Sequence, residues 1–166
     1  MDKDIFYGSV VVLSDKLYRM AKSILLDEEL AKDSVQDLYL KLWENRTALN
    51  EIENMSSYSM RILRNLCLDK LRKKREMDLE ICDYSALQDN ASSIHERVEQ
   101  KNMATIIKQH INQLPELQRT VIRLRDVEGY EIKEIAYITA STENAVTANL
   151  SRARQKIRNG LMKLQV

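Results

Sequence analysis

The chain has 166 residues, room for one ordinary domain or for two small ones whose thin cores would each be marginal alone. Three glycines and one proline exclude a hairpin-rich β architecture. Leu, Lys, Glu, Arg, Ala and Ile dominate, which points to an all-α protein. The formal charge of +1 hides a segregated distribution: residues 1–75 carry 14 Lys/Arg and 12 Asp/Glu, residues 76–100 carry 1 and 7, and residues 101–166 carry 11 and 6. Distinct charged surfaces are expected rather than one field. There is no secretory leader pattern and no apolar run of about 18 residues, so the sequence reads as soluble and not exported. Cys67 and Cys82 lack CxxC spacing, which argues against a disulfide framework or a zinc site and fits the cytoplasm.

In chain order, residues 4–26 predict one long helix with Val10, Leu13, Leu17, Met20 and Ile24 as its apolar stripe. Asp27-Glu28-Glu29 opens a second helix that runs to Glu44, since acids complement the positive end of the helix dipole. Residues 46–54 read as a polar connection. A third helix is expected over 56–74, ending in Arg72-Lys73-Lys74-Arg75. Residues 76–100 are acidic and lack sustained periodicity, and predict a flexible linker. Helical patterning returns over 96–113. Pro115 suits the first position of a further helix to Val127, with Glu128-Gly129 as the break. A short helix over 131–138 and a turn at Thr139-Ala140-Ser141 lead to a last helix capped by Thr142. Its stripe is Val146, Leu150, Ala153, Ile157, Leu161 and Leu164.

The short helix, turn and long helix form a helix-turn-helix, in which the second helix lies in the major groove with its early residues on the base edges. Thr142, Glu143, Asn144, Thr147 and Ser151 occupy those positions, and Arg152 and Arg154 follow as phosphate-neutralising cations. The third helix carries seven Lys/Arg and one acid over 58–75. Tyr58, Met55 and Met60 near its start are of the type that stacks on or pockets unpaired bases, although an amphipathic core helix with a basic tail explains much of the same pattern. On the second helix Val35, Leu38, Tyr39 and Leu42 share the core face, with Trp43 at its edge. Asp33, Asp37, Leu40 and Glu44 lie opposite, with Gln36 on the flank. A leucine ringed by acids suits docking of a basic helical partner.

These pieces together resemble the extracytoplasmic-function (ECF) group of bacterial RNA polymerase sigma factors. Asp33-Ser-Val-Gln-Asp-Leu-Tyr-Leu-Lys-Leu-Trp43 is similar to the family helix that docks on the clamp helices of the polymerase largest subunit. Asn65-Leu-Cys-Leu-Asp-Lys-Leu-Arg72, with the basic run behind it, resembles the helix that melts and reads the −10 element. Leu114-Pro-Glu-Leu-Gln-Arg119, Arg125-Asp-Val-Glu-Gly129, Glu134-Ile-Ala136 and Ser151-Arg-Ala-Arg154 resemble the module that reads the −35 element. The resemblance implies a sigma-2-like domain over 1–75, an acidic linker over 76–100 and a sigma-4-like domain over 101–166. It implies polymerase docking by Asp33, Gln36, Asp37, Leu40 and Glu44, and −10 contacts from Tyr58, Arg61, Arg64, Asn65, Arg72, Lys73 and Arg75. The implied partners are core RNA polymerase, through those clamp helices and the flap of the second-largest subunit, promoter DNA and an anti-sigma factor. Three departures stand out: Tyr58 replaces the usual tryptophan, Thr139-Ala140-Ser141 replaces Leu-Gly-Ile, and Thr147 and Asn149 stand where basic residues are frequent.

Two other functions compete. A stand-alone helix-turn-helix repressor needs a dimerisation surface to match a two-fold operator, and the acidic leucine face is poorly self-complementary. An enzyme needs a site, yet His95 and His110 are isolated and neither a phosphate-cradling Gly-rich loop nor G-x-S-x-G is present. The expectation is no catalysis, no cofactor, no metal and no small-molecule substrate.

Overall fold

The computed structural model describes residues 2–82 and 102–165 and, among these, contains helices and no strand. In chain order the α-helices are α1 (Lys3–Ser9), α2 (Ser14–Leu25), α3 (Glu28–Glu44), α4 (Met55–Cys82), α5 (Met103–Asn112), α6 (Glu116–Ile122), α7 (Ile132–Thr139) and α8 (Glu143–Met162).

The first half is built from α2, α3 and α4, which pack against one another. Leu17, Met20 and Ile24 of α2 meet Leu38 and Leu42 of α3 and Met60 and Leu63 of α4, all at most 2% exposed. α3 begins where the sequence places it: Asp27 accepts a hydrogen bond from the Leu30 N–H at 3.0 Å, and Glu28 and Glu29 fill the first turn. The expected single helix over 4–26 does not form. The run Val10-Val11-Val12 is β-branched and a weak helix former, and the chain passes through a 3-10 turn at Val11–Leu13. Folding α1 back lets Phe6 meet Trp43 edge-on at 5.3 Å between ring centroids. The connection after α3 holds a 3-10 turn, Ala48–Glu51, anchored by the buried Leu49. α4 runs eight residues past the expected end at 74, through an acidic stretch with no breaker. The expected linker residues from 83 onward, and the start of the helix expected from 96, lie outside the described residues.

In the second half α6 and α7 pack on the buried face of α8, where Val146, Leu150 and Ala153 are covered. Leu164, expected in that stripe, is 60% exposed because α8 gives way to a 3-10 turn at Lys163–Gln165. Pro115 is the N-cap of α6 rather than its first residue. The helix then widens into a π-helical segment, Arg123–Val127, before Gly129 turns the chain at φ +78°. His110 has a packing role: Gly160 of α8 sits so close to its ring that an added Cβ would lie 2.6 Å from it.

The halves are joined by long-range polar contacts. Arg19 pairs with Glu128 through two hydrogen bonds of 2.7 and 3.0 Å, and Arg64 with Glu116 at 3.2 Å. Asn54 caps α4, accepting from the Ser57 N–H at 3.0 Å, and donates its amide to Glu134 at 2.8 Å. The Ser56 and Tyr130 hydroxyls share a hydrogen bond. Arg119, 7% exposed, donates to the carbonyls of Asn112, Leu114 and, across the seam, Ile24.

The turn before α8 places Ala140 in the left-handed region at φ +50°, where glycine is favoured. The Ser141 N–H still reaches the Ala136 carbonyl at 3.0 Å, and the Thr139 hydroxyl, bonded to Ile135, also meets that of Ser141. Ala140→Gly is expected to raise stability by about 1 kcal/mol, read as a higher urea midpoint at unchanged slope. Glu134 accepts from the Glu131 backbone N–H, from Asn54 and from Ser57, in that order of effect, and its carboxyl lies below the usual range. A depressed native pKa contributes stability above the unfolded value and loses it as pH falls through the native one. The stability gap between wild type and Glu134→Gln should therefore be largest near neutral pH and shrink progressively as pH falls below the ordinary carboxylate range, as urea midpoints along such a series would report.

Candidate docking and nucleic-acid surfaces

α3 turns its polar face outward. Leu40 is 63% exposed, with Asp33, Gln36 and Glu44 exposed around it. Asp37, on the same face, is held by Lys70 of α4 at 2.8 Å. Leu40 is not only ringed by acids. Because α1 folds back, Leu40, Gln36 and Trp43 line one apolar groove with Phe6, Tyr7 and Val11. Trp43, expected at the core edge, is 37% exposed, with Phe6 on one side and Arg46 4.7 Å from its ring centroid. The α1 side of this groove is missing from the sequence reading. Its signal was the adjacent aromatic pair Phe6-Tyr7, which a continuous 4–26 helix would have carried away from α3.

α4 divides along its length. Met60 is fully buried and belongs to the core, so it cannot meet a base; Met55 and Tyr58 are half-buried near the seam. Arg61 lies 4.6 Å from the ring centroid of Tyr137 in α7, and the Arg64 side chain, 11% exposed, is covered by its pairing with Glu116. Asn65, Arg72, Lys73 and Arg75 are exposed, with Arg72 3.6 Å from Asp69. The cationic face is thus open toward the C-terminal end of α4 and packed against the second half near its start. Cys67 is core: burial pushes its thiol up to about 11, so it stays protonated and unreactive near neutral pH.

α8 presents a polar face made by its own cap and period. Thr142 accepts from the Ala145 N–H at 3.1 Å and so spends its hydroxyl on the helix start. Glu143, Asn144, Thr147 and Ser151 are exposed over the next two turns, with the Thr147 hydroxyl resting on the Glu143 carbonyl at 2.9 Å. Arg152 is exposed and free to point outward. Arg154 is gripped by Asp126 in a two-point pair of 3.0 and 2.6 Å, which ties α8 to the π-helical segment. No cluster of metal-ligating side chains and no helix long and apolar enough to cross a membrane occurs among the described residues.

Residues 12–77 match the family model for sigma-70 region 2, which spans α2, α3 and most of α4, and residues 105–157 match that for sigma-70 region 4, from α5 through most of α8. The ECF RNA polymerase sigma factor SigW of Bacillus subtilis is 26% identical over 98% of this chain and 92% of its own length. SigV of the same organism is 28% identical over 88% of this chain and 84% of its own. Among solved structures, the sigma factor RpoE from Bartonella quintana, in complex with the anti-sigma factor NepR, superposes with a TM-score of 0.77 at 24% identity, covering 97% of this chain and 98% of that one. CnrH, in complex with the cytosolic domain of CnrY, gives 0.66 at 22% identity over 98% and 90%. With both region models matched in the family's order, and with these sigma-factor relatives, the chain belongs to the extracytoplasmic-function group of bacterial RNA polymerase sigma factors.

Proposed function

We propose that the chain lends promoter specificity to core RNA polymerase through three surfaces, acting in the cytoplasm and contributing no catalysis of its own. The α3 face around Asp33, Gln36, Leu40 and Glu44, extended by Tyr7 of α1, docks the clamp helices of the largest subunit. The early face of α8 reads duplex −35 DNA through Asn144, Thr147 and Ser151, with Arg152 on the backbone. The exposed part of α4, Asn65 to Arg75, and the loop before it capture the opened −10 strand. The observation that carries this reading is the pairing of an exposed leucine on an acidic, ordered helix in one half with an exposed polar recognition-helix face in the other.

Each half alone offers a small contact area, and tethering on the polymerase raises the effective concentration of the second contact once the first is made. Tyr58, Arg61 and Arg64 take part in −10 capture only after the second half releases them, because Tyr137 and Glu116 occupy the two arginines in the closed arrangement. Complexes of RpoE with NepR and of CnrH with the cytosolic domain of CnrY support a protein regulator, an anti-sigma factor, for this chain as well. The stand-alone repressor reading is not favoured, since both region models and the relatives are those of polymerase subunits.

Run-off transcription with purified core polymerase and a promoter library tests this directly. Wild type should initiate from a defined subset. Leu40→Asp, which places a charge against an apolar contact, should weaken core binding by about 3 kcal/mol, roughly a hundredfold, and abolish run-off while the circular dichroism spectrum is unchanged. Initiation that survives Leu40→Asp would remove the docking face, and DNA binding as a dimer without polymerase would restore the repressor. For the −35 surface, Arg152→Ala in the holoenzyme should weaken binding about equally across promoter sequences and flatten the log affinity against log salt slope by about one.

A further inference from the structure

A cleft of about 400 Å³ lies at the seam between the halves, walled by α2 on one side and by α5 and the start of the π-helical segment on the other. Four cations line it: Arg19 and Lys22 from α2, Lys108 from α5, and Arg123. No carboxylate is among its lining residues. Arg19 is matched by Glu128, and Lys22 by Glu28 at 2.6 Å on the outer rim, where Glu28 also feels Lys108. Lys108 and Arg123 make no salt bridge among the described residues, so the cleft keeps about two positive charges.

Its buried polar groups are unfinished. Ser23, only 3% exposed, lies in the cleft wall, and its buried hydroxyl has no hydrogen-bond partner, nor does the buried Nε of Arg123. Buried donors without partners are rare in folded proteins and mark a place where a further group belongs. Desolvation weighs most against the Arg123 charge; Glu128 offsets part of it, and the nearby Arg19 adds a smaller repulsion. An anion in the cleft would relieve both effects. Tyr18 and Leu26 complete the wall with an aromatic and an apolar surface, the latter held outward by a left-handed cap at φ +54°.

We infer that this seam is a binding site for a small molecule bearing a phosphomonoester, its phosphate held by Lys108, Arg123 and Ser23 and its organic part set against Tyr18. A phosphomonoester carries about 1.5 to 2 negative charges near neutral pH, which matches the uncompensated charge, whereas a single carboxylate leaves half of it unmet. The site is assembled from both halves, so a bound ligand stabilises their packing by mass action.

The test uses the full chain and adenosine monophosphate as the probe, with thermal melting followed at ionic strength held constant by sodium chloride. Wild type should melt at rising temperature with added monophosphate and not with adenosine. Lys108→Glu, at an exposed position outside the polymerase and promoter surfaces, should keep the ligand-free melting temperature and raise the apparent Kd at least about tenfold. Lys108→Arg should bind like wild type. An equal response to adenosine, or an equal response of wild type and Lys108→Glu, overturns the site and leaves a solvated cationic seam. Displacement of the monophosphate by non-promoter duplex DNA, with duplex affinity falling equally in Lys108→Glu, overturns it in favour of a DNA-backbone contact.

Discussion

The guanidinium of Arg119 is the contact on which the described arrangement turns. It sits at the negative ends of two helices from different halves, donating to carbonyls at the close of α5 and to the Ile24 carbonyl at the close of α2. A buried cation there answers orphan carbonyls at both helix ends and complements both dipoles at once. Burial lowers its pKa, a measure of how far desolvation works against the charge, yet arginine stays protonated regardless. The other seam contacts, Arg19 with Glu128 and Arg64 with Glu116, are more exposed on at least one side and weaker in consequence.

In the proposed mechanism that seam joins surfaces which promoter capture separates. The half of α4 nearest its start faces α7, and the basic half faces solvent. One helix therefore serves packing at one end and presents an exposed cationic face at the other. The hydrogen bonds that cap α4 through Asn54 are shared with the capping box of α7 through Glu134, so the starts of two helices in different halves are mutually dependent. Polar joints of this sort are reversible in a way that an apolar core interface is not, since water can replace each partner when the halves part.

Much of the architecture was legible in the residues. The stripes of α2, α3 and α8, the caps Asp27 and Thr142, and the exposure of Leu40 follow from periodicity and dipole alone. The misses have physical reasons. The β-branched run Val10-Val11-Val12 only weakens the helix; that the chain turns back there follows Phe6 meeting Trp43, a tertiary contact that local propensity does not encode. The length of α4 past Arg75 was hidden by a change of charge without any change in helix propensity. The left-handed Ala140 sits between Thr139 and Ser141, whose hydroxyls are hydrogen-bonded to each other, and no local sequence signal marks that turn conformation. The occupancy of Arg61, Arg64 and Arg154 by Tyr137, Glu116 and Asp126 rests on pairings between distant segments, and composition counts such arginines as available cations.

Trp43 is the chain's one tryptophan, and the fold places it in the groove beside Leu40, between the ring of Phe6 and the guanidinium of Arg46. Intrinsic indole emission from this protein is therefore a signal from a single address. It reports the polarity of the α1–α3 groove and is blind to α8. The chain carries its own optical probe on one of the two surfaces proposed to bind partners and none on the other, so events at the two can be separated in time without a label.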